Sequence, residues 1–451
     1  MMLASDPLRL LAAGGVVLAY LGLCFACLRP LWRRPAPPAA PGEHWVCYAS
    51  QTGGAEHLAR LTADALRARG ETVRLAALNA LDADALAACR NAWFVVSTTG
   101  DGDAPDNAQA FRRRAMQTPA LLGGLDYGLV ALGSRNYAHF CGFGRSLDDW
   151  LAASGAHPRF ERIEVDDHDA DALTAWHDAL GIAPPAVPRT PGWQSALLAE
   201  RRLLNPGSAG EPVYWIELER DSREPPHWEA GDVLDVLPPA DSGDDTARTY
   251  TLATLPHESD APGPARLGLV VRAQRRPDGT PGRVSNWLAS GLRPGDTVQM
   301  RLRAQPGFRI DGNRDRPLLL VGGGTGIAGL VAHLKARAET GGPPCWLVYG
   351  ERNAAHDHLF ERDIARWQAD GALARVDAVF SRDGGAHRYV QHRLAAEADA
   401  LRRWIDADGA IYVCGSRVGM AEGVDAALAE ALGRDALDAL AVQGRYRRDV
   451  Y

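Results

Sequence analysis

The sequence predicts an α/β plus β-barrel architecture: an amino-terminal transmembrane helix, a doubly wound α/β domain, a small barrel and a second α/β domain. Three observations carry that prediction. Strands that break into glycine- and hydroxyl-rich loops and then into helical patterns recur between residues 45 and 140, and again between 317 and 414, as parallel sheets covered by helices require. Between these stretches lie short alternating strands spaced by Gly and Pro turns, the pattern of a small barrel. Ahead of them, residues 10–28 give 19 successive positions without a charge.

Composition limits the rest. A chain of 451 residues exceeds one core, and at roughly 150 residues per unit it predicts about three. With 56 acidic against 49 basic residues and no basic block beyond the amino terminus, nucleic acid is excluded as the main partner. Seven scattered cysteines form neither a disulfide framework nor paired metal clusters, so no metal is expected.

The uncharged run 10–28 is long enough to cross a hydrocarbon core of about 30 Å. Arg9 precedes it, and Arg29, Arg33 and Arg34 follow it, with Trp32 at the expected interface. The arginine excess on the carboxyl side predicts a single-pass, bacterial-type inner-membrane anchor with the remaining domains in the cytoplasm. A cleaved signal peptide is the alternative, but Cys24 and Cys27 lack a small-residue cleavage context. The predicted units are an anchor with its basic flank (1–34), a Pro-rich linker (35–43), an α/β domain (44–182), a linker (183–209) with four prolines between residues 183 and 192, a barrel (210–312) and a second α/β domain (313–451). Residues 44–182 hold 18 acids against 12 arginines, so most of the chain's net charge of −7 sits there.

In that first domain, Trp45-Val-Cys-Tyr-Ala reads as a buried strand. It is followed by Ser50-Gln51-Thr52-Gly53-Gly54-Ala55 and a helix with Leu58, Leu61, Ala65 and Leu66 on one face. Such a turn directs backbone N–H groups and a helix's positive end at an anion. It has no lysine of the triphosphate-binding kind, so a phosphate monoester is the natural ligand. Two later strands end in Thr98-Thr99-Gly100-Asp101-Gly102 and in Gly133-Ser-Arg-Asn136-Tyr137-Ala-His-Phe140-Cys141. In an open parallel sheet the three loops converge on one crevice beyond the strand ends. Glycine turns there offer amides to a heterocycle, and Tyr137 offers a face for stacking.

These motifs, in this order, resemble the flavodoxin-like FMN domain of the diflavin reductases, the family of sulfite reductase flavoprotein and microsomal cytochrome reductase. Asp166-Asp167 and Trp176 extend the match. The resemblance implies that residues 50–55 hold the FMN phosphate. It implies further that Thr98, Thr99, Gly100, Gly102, Gly133, Asn136, Phe140 and Cys141 frame the flavin ring, that Tyr137 stacks on it, and that Asp167 lies near the ribityl side.

In the barrel, Arg248-Thr-Tyr250-Thr251 puts Arg248 and Tyr250 on one strand face, a phosphate fork beside an aromatic platform. Gly282-Arg-Val284-Ser285 reads as a helix start suited to a pyrophosphate. In the last domain, Pro317-Leu-Leu-Leu-Val-Gly-Gly-Gly324-Thr325-Gly326 is a buried strand and a dinucleotide-phosphate turn, without the strict G-x-G-x-x-G spacing. Ser381-Arg382 at a strand end could grip an extra phosphate, which favours NADPH over NADH.

These features, with Tyr-Gly-Glu-Arg-Asn, Tyr-Val-Gln-His, Tyr-Val-Cys-Gly and a terminal Arg-Asp-Val-Tyr, resemble the ferredoxin–NADP reductase-like half of the same family. The resemblance implies that Arg248, Tyr250, Thr251, Gly282, Val284 and Ser285 bind FAD. It places NADPH on Gly324, Thr325, Gly326, Ser381, Arg382, Arg388, Tyr389 and Gln391. Thr251, Cys414 and Asp449 would assist hydride transfer, and Tyr451 would cover the FAD ring until nicotinamide displaces it.

Three features depart from the family. Only about 56 residues separate Gly192 from Arg248, leaving no room for the family's helical connecting insert. The family's phosphate-gripping lysine falls on His387, with Arg388 adjacent and Lys335 the chain's only lysine. The family's serine beside the flavin is Thr251. The expected activity is electron transfer from NADPH through FAD and FMN to a one-electron acceptor. That acceptor would be a haemoprotein of the sulfite reductase kind or an inner-membrane ferric-siderophore or quinone reductase. The alternatives are a non-catalytic flavin-holding scaffold, or an FAD and NADPH reductase whose FMN domain serves only for docking.

Overall fold

The computed structural model describes residues 43–451 apart from 52, 100–101, 136–138, 167–168, 184–191, 221–226, 240–246, 257–263 and 277. Its first sheet is parallel. Strands β1 (His44–Ala49), β2 (Val73–Ala77), β3 (Asn91–Ser97) and β4 (Asp126–Gly133) lie in the order β2-β1-β3-β4, with β5 (His157–Pro158) and β6 (Ile163–Asp166) both along β4. The strands read as unbroken apolar runs because both faces are covered. Helices α1 (Gly54–Ala68) and α4 (Ala170–Leu180) pack Leu58, Leu66, Trp176 and Leu180 on one side. On the other, α2 (Asp106–Arg114) and α3 (Gly142–Ala153) pack Phe111, Leu147 and Trp150. The order reverses beside β1, which opens a crevice at the carboxyl ends of β1, β3 and β4.

The second sheet is antiparallel. It runs β10 (Arg248–Thr251), β9 (Val233–Val236), β12 (Thr297–Arg303), β7 (Gln194–Leu203), β8 (Val213–Arg220), β11 (Ala265–Arg272). The N–H of Ala253 donates to Gly268 O at 2.8 Å and brings the two edges together into a barrel. Strand β7 lies inside 183–209, the interval expected to be linker, and pairs with both β8 and β12. Its sequence, Ala-Leu-Leu-Ala-Glu-Arg-Arg-Leu, groups apolar and charged residues in blocks and follows several prolines, so no strand alternation marks it.

The third sheet is parallel again, in the order β15 (Leu373–Phe380), β14 (Cys345–Glu351), β13 (Leu318–Gly323), β16 (Ala410–Gly415), β17 (Tyr446–Val450). Helices α5 (Ile327–Thr340), α6 (Val390–Ala396), α7 (Glu422–Leu432) and α8 (Arg434–Val442) flank it. One apolar cluster joins barrel residues Val213, Trp215, Ala253, Val270 and Phe308 to Leu318, Ile327, Leu330 and Cys414, so barrel and third sheet share a core. The first domain meets this reductase half differently, through charge pairs described below.

The expected anchor at residues 10–28 lies outside the described residues. Among the described residues, no helix is long and apolar enough to cross a membrane.

Candidate functional site

The first cradle lies at the carboxyl end of β1. Gly53 adopts φ +89°, the left-handed conformation that lets the chain turn into α1. The N–H of Ser50 donates to Asn107 Oδ1 at 2.8 Å. Gln51 and Asp106 bond twice, Nε2 to Oδ2 at 3.0 Å and Oε1 from the Asp106 N–H at 2.9 Å. The Ser50 hydroxyl oxygen is buried and has no hydrogen-bond partner among the described residues. A buried hydroxyl left open in a turn of amides is a fit for a phosphate oxygen.

The second loop closes on itself, Thr99 and Asp103 exchanging backbone bonds at 2.9 Å, while Thr98 Oγ1 accepts the N–H of Phe143 at 3.3 Å. The third brings Cys141 back under Gly133. Cys141 caps α3 with φ 52°, and its buried thiol donates to Ala131 O at 3.2 Å. Burial pushes that thiol up to about 12, so Cys141 is a packing wedge under the loop. Phe140 lies beneath the Arg135 guanidinium, 5.2 Å from the ring centre. Thr52, Gly100, Asn136, Tyr137 and Asp167 lie outside the described residues.

In the barrel, the Arg248 side chain is exposed, Tyr250 is half-buried against the barrel core, and Thr251 is buried. Gly282 leads into a single helical turn, with Val284 buried and the Ser285 hydroxyl at its start, accepting the Gln274 N–H at 3.3 Å.

The reacting cluster forms where barrel and third sheet meet. Thr251 Oγ1 donates to Asp449 Oδ2 at 2.5 Å, and Cys414 Sγ approaches the same oxygen at 3.7 Å. Gln305 Nε2 donates to Asp449 Oδ1 at 3.0 Å. Burial first, and then Asp449, holds the Cys414 thiol well above its ordinary range, so the sulfur keeps its proton at neutral pH. Thr251, Cys414 and Asp449, distant in sequence, thus share one carboxylate. Gln305 escaped sequence reasoning because nothing in Ala-Gln-Pro-Gly marks it.

The dinucleotide turn occupies residues Gly324–Gly326, directly before α5. Thr325 Oγ1 and Tyr451 Oη lie 3.2 Å apart, so the terminal ring sits over the turn. The N–H groups of Ser381 and Arg382 donate to the carbonyls of Glu351 and Arg352 at 2.9 and 2.8 Å, while the Arg382 side chain is exposed. Arg388 lies 5.8 Å from the Tyr389 ring centre. Gln391 instead turns toward the start of α7, its Nε2 3.5 Å from Gly419 O and its Oε1 buried without a partner among the described residues.

The two halves touch through charges. The Arg448 guanidinium pairs with both oxygens of Asp106, its Nε at 2.6 Å. Arg417 Nη1 reaches Asp103 at 2.6 Å. Arg113 Nη2 bonds both oxygens of Asp438 at 2.8 and 2.9 Å, and Arg114 Nη2 reaches Asp435 at 2.7 Å and Asp438 at 3.1 Å. A Cβ placed on Gly307 would lie 2.7 Å from Gln51 O, so the FMN-type turn rests on the segment next to Gln305.

Residues 46–176 match the flavodoxin family, and residues 320–426 match the oxidoreductase NAD-binding domain. The chain carries a flavodoxin-like domain and an oxidoreductase NAD-binding domain. It is similar to the sulfite reductase [NADPH] flavoprotein alpha-component of Neisseria meningitidis, 26% identical over 556 aligned positions that cover 94% of this chain and 92% of that one. The Bacillus subtilis protein of the same name is 26% identical, with 92% and 90% covered. That of Thiocapsa roseopersicina is 28% identical, with 88% and 85% covered. The Neisseria alignment runs 556 positions against 451 residues here, so more than a hundred of its positions have no counterpart in this chain.

Those relatives correct one expectation. Proteins that match nearly the whole chain are named as flavoprotein components of sulfite reductase, and no membrane-spanning helix occurs among the described residues. The expected single-pass inner-membrane localisation, membrane partner and cytoplasm-facing topology are therefore not upheld.

Proposed function

We propose that this chain passes electrons from NADPH through FAD and then FMN to a one-electron acceptor protein, a haemoprotein of the sulfite reductase kind. The chain is an NADPH-dependent flavoprotein oxidoreductase with FMN, FAD and NADPH as its cofactors. The flavins supply the conversion between a two-electron donor and one-electron acceptors; the protein contributes position, burial and electrostatics.

The observation that carries this reading is the convergence of Thr251, Cys414 and Gln305 on the Asp449 carboxylate, in contact with a second half whose turn leaves Ser50 Oγ unpartnered. Asp449 would favour the positive charge that the neutral dihydronicotinamide ring takes on as hydride leaves it, and Gln305 fixes the carboxylate so that Thr251 and Cys414 meet one oxygen. Holding those groups before the cofactor arrives removes an entropic part of the barrier. The backbone at Ser50, Gln51, Gly53 and Gly54 would bind the FMN phosphate, with Thr98 and Gly133 bordering its ring. Arg248, Tyr250 and Ser285 would hold FAD, Thr325 would bind NADPH, and Arg382 with Arg388 would grip its 2′-phosphate. Tyr451 would exclude water from the FAD ring while nicotinamide is absent.

Flavin released from the purified protein and separated by chromatography should contain FMN and FAD in equal amounts. Anaerobic mixing with NADPH should bleach both. A protein holding FAD alone would refute the role of the first domain, and flavin unbleached by NADPH would support the scaffold alternative.

A further inference from the structure

Gly329 lies buried in the first turn of α5. Its backbone is helical and needs no left-handed freedom, and inside a helix alanine is the better former. Space explains the glycine. A Cβ at 329 would lie 3.1 Å from Thr251 Cγ2, 3.1 Å from Phe308 Cε1 and 3.4 Å from Cys414 Sγ. The missing side chain therefore leaves a slot that opens on two of the groups gathered at Asp449.

Threonine needs that slot. Thr251 is buried at the end of β10, where its Oγ1 donates to Asp449 Oδ2 and its Cγ2 lies against Gly329. Hydroxyl and methyl sit on one Cβ, so they turn together about χ1, and branching there leaves few allowed settings. With the methyl seated over Gly329, the hydroxyl is held on the carboxylate. A side chain at 329 would drive Cγ2 out of the slot, and either the hydroxyl leaves Asp449 or strand and helix move apart. A serine at 251, as in the resembled family, would bring no methyl to seat.

We propose that Gly329 is a positioning residue for the hydride-transfer site: by leaving room for the Thr251 methyl, it fixes the rotamer that keeps the Thr251 hydroxyl on Asp449. This rests on the reading of Thr251, Cys414 and Asp449 as that site. The site then needs one methyl in the slot, carried by residue 251 or by residue 329.

The test is a double-mutant cycle on the flavin-loaded protein, read in two ways. One is the rate of flavin reduction at saturating NADPH in stopped flow. The other is the rotamer of Thr251, from the NMR signal of its isotope-labelled methyl group, measured without NADPH and assigned by its loss in Thr251→Ser. Gly329→Ala should slow reduction roughly 10- to 100-fold, move the methyl signal to that of another rotamer and scarcely change NADP⁺ affinity. Thr251→Ser should be slowed less, since its hydroxyl stays but turns more freely. Gly329→Ala/Thr251→Ser, which carries the methyl from one side of the slot to the other, should recover most of the rate lost in Gly329→Ala. Losses that simply multiply in the double variant, rescue of Gly329→Ala by Phe308→Leu instead, or an unmoved Thr251 methyl signal in Gly329→Ala would each overturn the proposal. Should Gly329→Ala not fold, a double variant that folds and is reduced faster than Thr251→Val supports it, and a double variant that also fails to fold overturns it. Thr251→Val reduced as fast as wild type would take the hydroxyl out of hydride transfer, so that the underlying reading of the site falls and the proposal with it.

Discussion

The contact between the two halves can be broken from either side. The pair Arg448–Asp106 is its best-buried element, with side-chain exposures of 16% and 21%. Arg113 and Arg114, at 43% and 44% exposed, sit in solvent, where such pairs contribute about 0.2–1 kcal/mol each. Removing one partner of a fully buried pair costs about 3–5 kcal/mol. Discounted for the exposure here, Asp106→Ala should weaken docking by about 2 kcal/mol, roughly a 30-fold shift toward separated domains. Burial pulls Arg448 down to about 10, so it stays charged at neutral pH. The assay is small-angle scattering of the intact protein with increasing salt, supported by the rate of proteolytic cleavage between residues 183 and 193. Asp106→Ala and Arg448→Ala should each expand the particle at salt concentrations where wild type stays compact. The double variant should be no more expanded than the worse single one, because both remove the same contact. Additive expansion, or a wild type indifferent to salt, would refute the reasoning.

Three further outcomes follow from the same geometry. Arg382→Ala should raise the KM for NADPH roughly 10- to 100-fold, as loss of charge-assisted bonds predicts, while NADH is scarcely affected; equal losses in steady-state kinetics would remove Arg382 from the 2′-phosphate. Asp449→Asn should slow flavin reduction by about 10²-fold without loss of either flavin, and stopped-flow absorbance with NADPH deuterated at the transferred position should show a larger isotope effect; an unchanged rate would take Asp449 out of the hydride step. His333 is buried between Phe308 and Tyr412, and burial, then Arg447 and Arg337, lowers it to about 3. The unfolded chain binds this proton below the ordinary value of 6.5 and the folded chain does not, so stability falls as pH drops from about 6.5 toward 3, by about 1.4 kcal/mol per pH unit. His333→Phe should flatten the dependence of Tm on pH between 6.5 and 4, and a wild-type slope retained in the variant would show that other groups set it.

Much of this was legible in the chain. Strands such as Trp45-Val-Cys-Tyr-Ala and Pro317-Leu-Leu-Leu-Val announce themselves because burial on both faces demands unbroken apolar runs, and the turns after them are written in glycine. What stayed hidden depends on three-dimensional neighbours. Gln305 carries no local signature, since it acquires its role from Asp449, 144 positions away. Asp106-Asn107 after a proline does mark a helix start, and that signal could have drawn attention to the bonds that tie Ser50 and Gln51. Strand β7 was concealed because its charged run, the exposed Glu200 and Arg202 with the half-buried Arg201 between them, resembles linker composition. Arg382 and Cys414 were placed from motifs, yet only the fold brings Cys414, Thr251 and Asp449 onto one carboxylate.

The seam also changes what the acidity of the first domain is for. Its excess of acids over arginines suggests a surface that steers toward a basic acceptor. Yet Asp103 and Asp106, on the loop and helix that border the flavin crevice, are engaged by Arg417 and Arg448 of the same chain. Without room for a connecting insert, the reductase half has supplied its own basic partner, drawn from its last strand and the segment before α7. Carboxylates spent in this contact cannot at the same moment attract an external protein. The two uses therefore compete, and salt screens both over about 8 Å at physiological ionic strength. Turnover with a protein acceptor should then pass through a maximum as salt rises, since low salt holds the halves together and high salt weakens the encounter. A monotonic fall would mean that Asp103 and Asp106 take no part in the competition, and that steering comes from carboxylates elsewhere on the domain.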